Sequence, residues 1–102
     1  MKAAIYARTA TKEQSTTNQL QYCREYVLEQ QGRVVGVYDD EGISGNVLDR
    51  DGLKVMMKDA VERKFDTIIV VSFDRLTRNP LRLLKLIADL KASGIEVKTV
   101  SS

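Results

Sequence analysis

A three-layer α/β fold, with a mostly parallel four-stranded sheet and helices on both faces, is predicted by three features of this sequence. Short apolar runs rich in Val and Ile alternate with stretches whose apolar residues recur at helical spacing. Those helical stretches are long enough to carry the crossovers that parallel strands require. The chain has no repeat and no low-complexity tract, and its 102 residues form one domain, 1–102.

The elements follow in order. Ala3-Ala4-Ile5-Tyr6-Ala7 reads as a buried strand. Ser15 or Thr16 then caps a helix whose core face carries Leu20, Cys23, Val27 and Leu28, with Gly32 as its stop. Arg33 to Tyr38 is a second strand, followed by the acidic, glycine-bearing loop YDDEGISGNVLDRDG, in which Gly42 and Gly45 are turn residues. Asp51 is the expected N-cap of a helix carrying Leu53, Met56, Met57, Ala60 and Val61. Thr67 to Phe73 is the most apolar strand and is expected at the centre of the sheet. Asn79-Pro80 combines a cap with a proline at the first helical position, and Leu83, Leu84, Ile87 and Leu90 form the core face before Gly94. Ile95 to Val100 is the fourth strand. A chain that halts there has no helix to cover that edge, so a fragment is expected.

Composition narrows the chemistry. The chain has no histidine and a single cysteine, Cys23, which leaves no zinc site and no Ser-His or Cys-His nucleophile pair. One cysteine makes no internal disulfide, no apolar run reaches the ~20 residues of a membrane span, and no signal-peptide pattern opens the chain. A cytoplasmic protein is expected. Net charge is only +2, but it is uneven: residues 39–51 hold five carboxylates against Arg50, whereas 74–98 hold six cations against three carboxylates.

In a parallel sheet the loops that follow the strands gather on one rim. The first brings Arg8, Thr9, Ala10, Thr11, Gln14 and Gln19; the second brings Asp40, Ser44 and Arg50; the third brings Asp74, Arg75 and Arg78. Four arginines from three loops repel one another unless an anion lies between them, and the guanidinium fork matches phosphate oxygens two at a time. Spacing alone equally allows each arginine to pair with a carboxylate such as Asp39, Asp49 or Asp74. The acidic loop makes a poor magnesium site, because consecutive acids on a strand end point to opposite sides. Gly42-x-x-Gly45 lacks the Lys-Ser/Thr ending of a phosphate-binding P-loop.

The segments AIYARTATKEQ, DEGISGNVLDRDGL and FDRLTRN, in this order and spacing, resemble the signature stretches of the serine recombinases, the resolvase–invertase and large serine integrase group. The resemblance runs over essentially the whole chain, and the DEGISG loop looks more like the integrase branch. It implies the resolvase-like catalytic domain, truncated before the long interface helix, and a DNA reaction without metal or other cofactor. In that reaction a serine hydroxyl attacks a backbone phosphate, the 3′-oxygen leaves as a hydroxyl, and a 5′-phosphoserine link conserves the bond energy until resealing. Carried across, Arg8, Arg50, Arg75 and Arg78 contact the scissile phosphate. Asp74 orients arginines or handles protons, Gln14 and Gln19 complete the polar pocket, and Ser44 lies in the loop that approaches it. Double-stranded DNA is the implied partner, with dimers and tetramers forming in the full-length protein; this fragment is expected to be monomeric or weakly associated.

One departure bears on activity. The family usually has Arg-x-Ser-Thr where this chain has Arg8-Thr9-Ala10-Thr11, so Ala10 occupies the nucleophile position. A methyl group cannot attack phosphorus, and the chain as written is expected to be inactive. Engineered replacement of a serine and natural degeneracy both account for Ala10. The second makes the domain a non-catalytic DNA-associated or regulatory module. An unrelated doubly wound domain for a small phosphorylated ligand is the remaining reading.

Overall fold

The computed structural model describes residues 1–11, 15–42 and 50–100. Within them the chain runs β1 (Lys2–Arg8), α1 (Thr17–Glu29), β2 (Arg33–Asp40), α2 (Asp51–Val61), β3 (Thr67–Val70), a 3-10 turn (Phe73–Arg75), α3 (Pro80–Ala92) and β4 (Glu96–Thr99). The strands form one sheet in the order β2-β1-β3-β4, and every pairing is parallel. The expected three-layer α/β architecture is therefore present.

Alternation along β1 divides the core. Ala4 and Tyr6 face α2 and α3, packing with Leu53, Met56, Ala60, Ile68, Val70, Leu76 and Leu90. Ala3 and Ile5 face α1, packing with Cys23, Val27 and Ile69. The expected core faces are correct in phase but too wide: Leu28, Val61 and Leu84 lie at the flanks of their helices and are 72%, 74% and 66% exposed. β3 is central and fully buried, but it ends at Val70 rather than Phe73, because Phe73 and the two residues after it turn into the 3-10 element.

Of the expected caps, the first is divided between Ser15 and Thr16 and the second is replaced. Ser15 accepts a hydrogen bond from the Thr17 amide (3.1 Å), whereas the cap residue of α1, Thr16, makes no side-chain cap bond; its hydroxyl donates to Asp39 and Glu41. Asp51 is the first helical residue of α2 and not its cap. The orphan amides of Gly52 and Leu53 donate instead to Asp40 at the end of β2, at 2.8 and 3.0 Å. Asn79 caps α3 as expected, accepting from Leu81 and Arg82, with Pro80 at the first helical position. α1 reaches its end before Gly32: Gln31 takes the left-handed conformation, with φ 59°.

The sequence neighbours β1 and β2 lie on one side of the sheet's reversal point, and β3 and β4 on the other. Such a reversal opens a crevice at the carboxyl ends of the two strands beside it, here β1 and β3. Arg8 ends β1, and Asp74 and Arg75 lie on the turn after β3.

Candidate active site

β1 delivers Arg8 to the crevice with its side chain completely buried. Its Nε donates to the carbonyl of Arg75 at 3.1 Å and its Nη2 to the carbonyl of Asp74 at 2.9 Å. Arg8 thus grips the backbone of the turn after β3. Gln19 in α1 pins the Arg8 backbone in return: its Nε2 donates to the Arg8 carbonyl at 2.8 Å, and its Oε1 accepts from the Arg8 amide at 3.3 Å.

Arg50, just ahead of α2, is 1% exposed and reaches the same turn from another direction. Nη1 donates to the carbonyl of Arg75 (3.0 Å) and to the Tyr6 hydroxyl (2.9 Å), and Nη2 donates to the carbonyl of Leu76. Its buried Nε has no hydrogen-bond partner among the described residues. The Tyr6 hydroxyl donates onward to Asp40 Oδ2 at 2.7 Å, and that carboxylate also caps α2. Arg50 therefore meets Asp40 through a phenol and not directly. Burial and the bond to Asp40 push the Tyr6 hydroxyl well above the ordinary phenol range, so it stays protonated and keeps donating.

Arg75 pairs with a carboxylate. Its Nε and Nη2 reach Asp74 Oδ1 and Oδ2 at 3.3 and 3.1 Å, and its Nη1 donates to the Arg8 carbonyl at 2.8 Å. Asp74 Oδ1 also accepts from the Ser72 hydroxyl. The Arg75 bonds, more than any other influence, hold the Asp74 carboxyl down at about 2. Arg78 is exposed. It contributes to the field at Arg8, whose pKa is lowered first by burial and then by the like charges of Arg75, Arg50 and Arg78. The crevice is therefore a concentration of positive charge.

Ala10 lies exposed on the bend immediately after β1. Thr9 beside it is 3% exposed and its hydroxyl is occupied, donating to the Thr11 carbonyl at 3.1 Å and accepting from the Gly42 amide at 3.2 Å. Gln14 and Ser44 lie outside the described residues. Among the described residues no group of three or more His, Cys, Asp or Glu side chains is arranged to hold a metal ion. No helix among them is long and apolar enough to cross a membrane.

The sequence reading placed Arg8, Arg50, Asp74 and Arg75 on one rim, and the structure brings these four into one network. It did not foresee Tyr6 as a polar bridge, Asp40 as a cap, or Ser72 on the Asp74 carboxylate. For Ser72 a local signal was available, a hydroxyl two residues before an aspartate at a strand end. For Tyr6 there was none, since its partners lie 34 and 44 residues away.

Fold and site together define a parallel α/β domain that gathers arginines at the sheet's reversal point. The Resolvase, N terminal domain family profile matches residues 3–102. The chain is 32% identical over 95 residues to a resolvase of Clostridium perfringens (strain 13 / Type A), covering 93% of this chain and 47% of that protein. It superposes on the N-terminal catalytic domain of TP901-1 integrase with a TM-score of 0.92 at 30% identity, covering 98% of this chain and 77% of the other. The C-terminal catalytic domain of ISC1926 TnpA, an IS607-like serine recombinase, gives a TM-score of 0.94 at 27% identity, covering 100% and 69%. This chain belongs to the resolvase N-terminal domain family, the catalytic domain of the serine recombinases. It spans about half the length of the curated relatives it matches.

Proposed function

We propose that residues 1–102 form the catalytic domain of a site-specific DNA recombinase, that the arginine-lined crevice seats a DNA backbone phosphate, and that Ala10 leaves the chain unable to cut. The observation that carries this reading is the gathering of Arg8, Arg50 and Arg75 on the turn after β3, with burial and then the like charges of Arg75, Arg50 and Arg78 lowering the Arg8 pKa. A phosphodiester seated among these like charges is matched by their guanidinium forks and offsets their mutual repulsion. Arg75 and Arg78 meet it from the open side. Arg8 and Arg50, from behind, hold the turn that carries Asp74 and Arg75. Gln19 fixes Arg8, and Gln14 and Ser44 complete the pocket.

The Thr9 hydroxyl beside Ala10 is no substitute for the missing one, because it is buried and engaged. A chain that holds DNA without cleaving it acts as a DNA-associated module, pairing with other chains at a recombination site in the cytoplasm. The test joins this domain to the DNA-binding region of a resolvase with a defined target. With Ala10→Ser the chimera is expected to yield a denaturation-resistant adduct on a 5′ DNA end, and with Ala10 none. A serine chimera that occupies its target yet forms no adduct would falsify the reading.

A further inference from the structure

We propose that Ser72 is a positioning residue: its hydroxyl fixes the Asp74 carboxylate and, through it, aims the Arg75 guanidinium into the crevice. The geometry stands on its own, and its consequence for strand transfer rests on the function proposed above.

Ser72 follows the end of β3 and is the cap residue of the 3-10 turn, yet its side chain makes no cap bond to the turn's amides. The hydroxyl goes instead to Asp74 Oδ1. The Ser72 carbonyl meanwhile accepts from the Arg75 amide at 3.1 Å, so the residue is tied to both ends of the motif. That tie matters because Asp74 and Arg75 are adjacent and open to water, with side chains 45% and 23% exposed. An ion pair in such a setting is weak alone and leaves both side chains free to rotate. A third donor anchored at the sheet end removes that freedom from the carboxylate.

The effect on Arg75 follows from its donor inventory. A guanidinium has five N–H groups, one on Nε and two on each Nη. Bonds to Asp74 and to the Arg8 carbonyl use three of them, the Nε donor and one on each Nη. Among the described residues one donor on each Nη is left, and these are available to the oxygens of a phosphate. Loss of the Ser72 hydroxyl frees the carboxylate, and with it the orientation of that pair. The bond also contributes to the lowered Asp74 pKa, after the larger effect of Arg75.

The experiment begins with the chain as it is. Asp74 is titrated by carboxyl-carbon NMR, and exchange of the Arg75 Nε proton with water is followed in parallel. In Ser72→Ala the Asp74 midpoint is expected to move up from about 2 and the Arg75 proton to exchange several-fold faster. Ser72→Thr, which keeps the hydroxyl, is expected to restore both. An unchanged Asp74 midpoint and unchanged exchange, in an alanine variant whose amide spectrum shows it folded, overturn the proposal.

In the Ala10→Ser chimera, Ser72→Ala is expected to slow cleavage at least about tenfold and to move the acid limb of its pH profile upward. Full cleavage activity with an unmoved pH profile in that variant also overturns it. If the serine chimera never cleaves while both NMR shifts appear, the functional reading fails and the positioning role stands.

Discussion

Tyr6 keeps two opposite charges apart while touching both. Its hydroxyl donates to Asp40 and accepts from Arg50, whose guanidinium carbon also lies 5.7 Å from the centre of the phenol ring. Were Arg50 to meet Asp40 directly, its remaining donors would be drawn away from the turn carbonyls they now hold. Tyr6→Phe removes one oxygen and leaves the ring packing in place. It strips a donor from Asp40 Oδ2 and an acceptor from Arg50 Nη1, both buried, which costs about 1–3 kcal/mol. In urea unfolding the midpoint is expected to fall with an unchanged slope; a midpoint equal to the parent's would show that the phenol bridge is redundant. Sequence pattern registers Tyr6 only as an apolar position in a buried run, because a hydroxyl's partner has no period.

At the scale of elements, the difference between α2 and α3 shows where pattern reading stops. α3 is capped by its own Asn79, two and three residues before the amides it satisfies, and Asn-Pro announces it in the sequence. α2 is capped by Asp40, twelve and thirteen residues before the amides it satisfies. Asp51 looked like the cap because it has the right side chain at the right place. Asp40 won because β2 brings a carboxylate straight to the helix end.

The approach depends on Gly52. A Cβ there would stand 2.5 Å from the Asp39 carbonyl oxygen and 2.9 Å from Asp40 Oδ2, and the first of these is backbone that cannot swing aside. Gly52→Ala is therefore expected to destabilise the domain by about 1–3 kcal/mol, even though alanine is the better helix former. For a domain of this size that lowers Tm by roughly 4–8 °C per kcal/mol. A variant at least as stable as the parent would mean that α2 does not need this close contact.

At the scale of the whole molecule, the alternation of strands and helices already implied one rim bearing the post-strand loops, and from it the gathering of arginines. What it could not supply was the strand order. With β1 and β3 adjacent, Arg8 and the Asp74-Arg75 turn meet at the reversal point, and Arg50 reaches them from the start of α2. The resulting field is uneven enough to be measured without knowing any DNA target. On the proposed reading, inorganic phosphate and short duplex DNA both bind the native crevice and not the unfolded chain, so each raises Tm. The gain is about 2.7 kcal/mol at a ligand concentration one hundred times Kd. Added sodium chloride is expected to erode the shift for DNA steeply, since each phosphate contact releases bound counterions. Arg75→Ala combined with Arg78→Ala removes the two crevice arginines that reach solvent and is expected to abolish both shifts. Arg82→Ala, a charge loss on the α3 surface, is expected to leave the phosphate shift in place. Equal loss in the Arg82 variant would assign the effect to overall charge and remove the crevice from the argument. A phosphate shift that survives the double variant would place the anion somewhere else on the molecule.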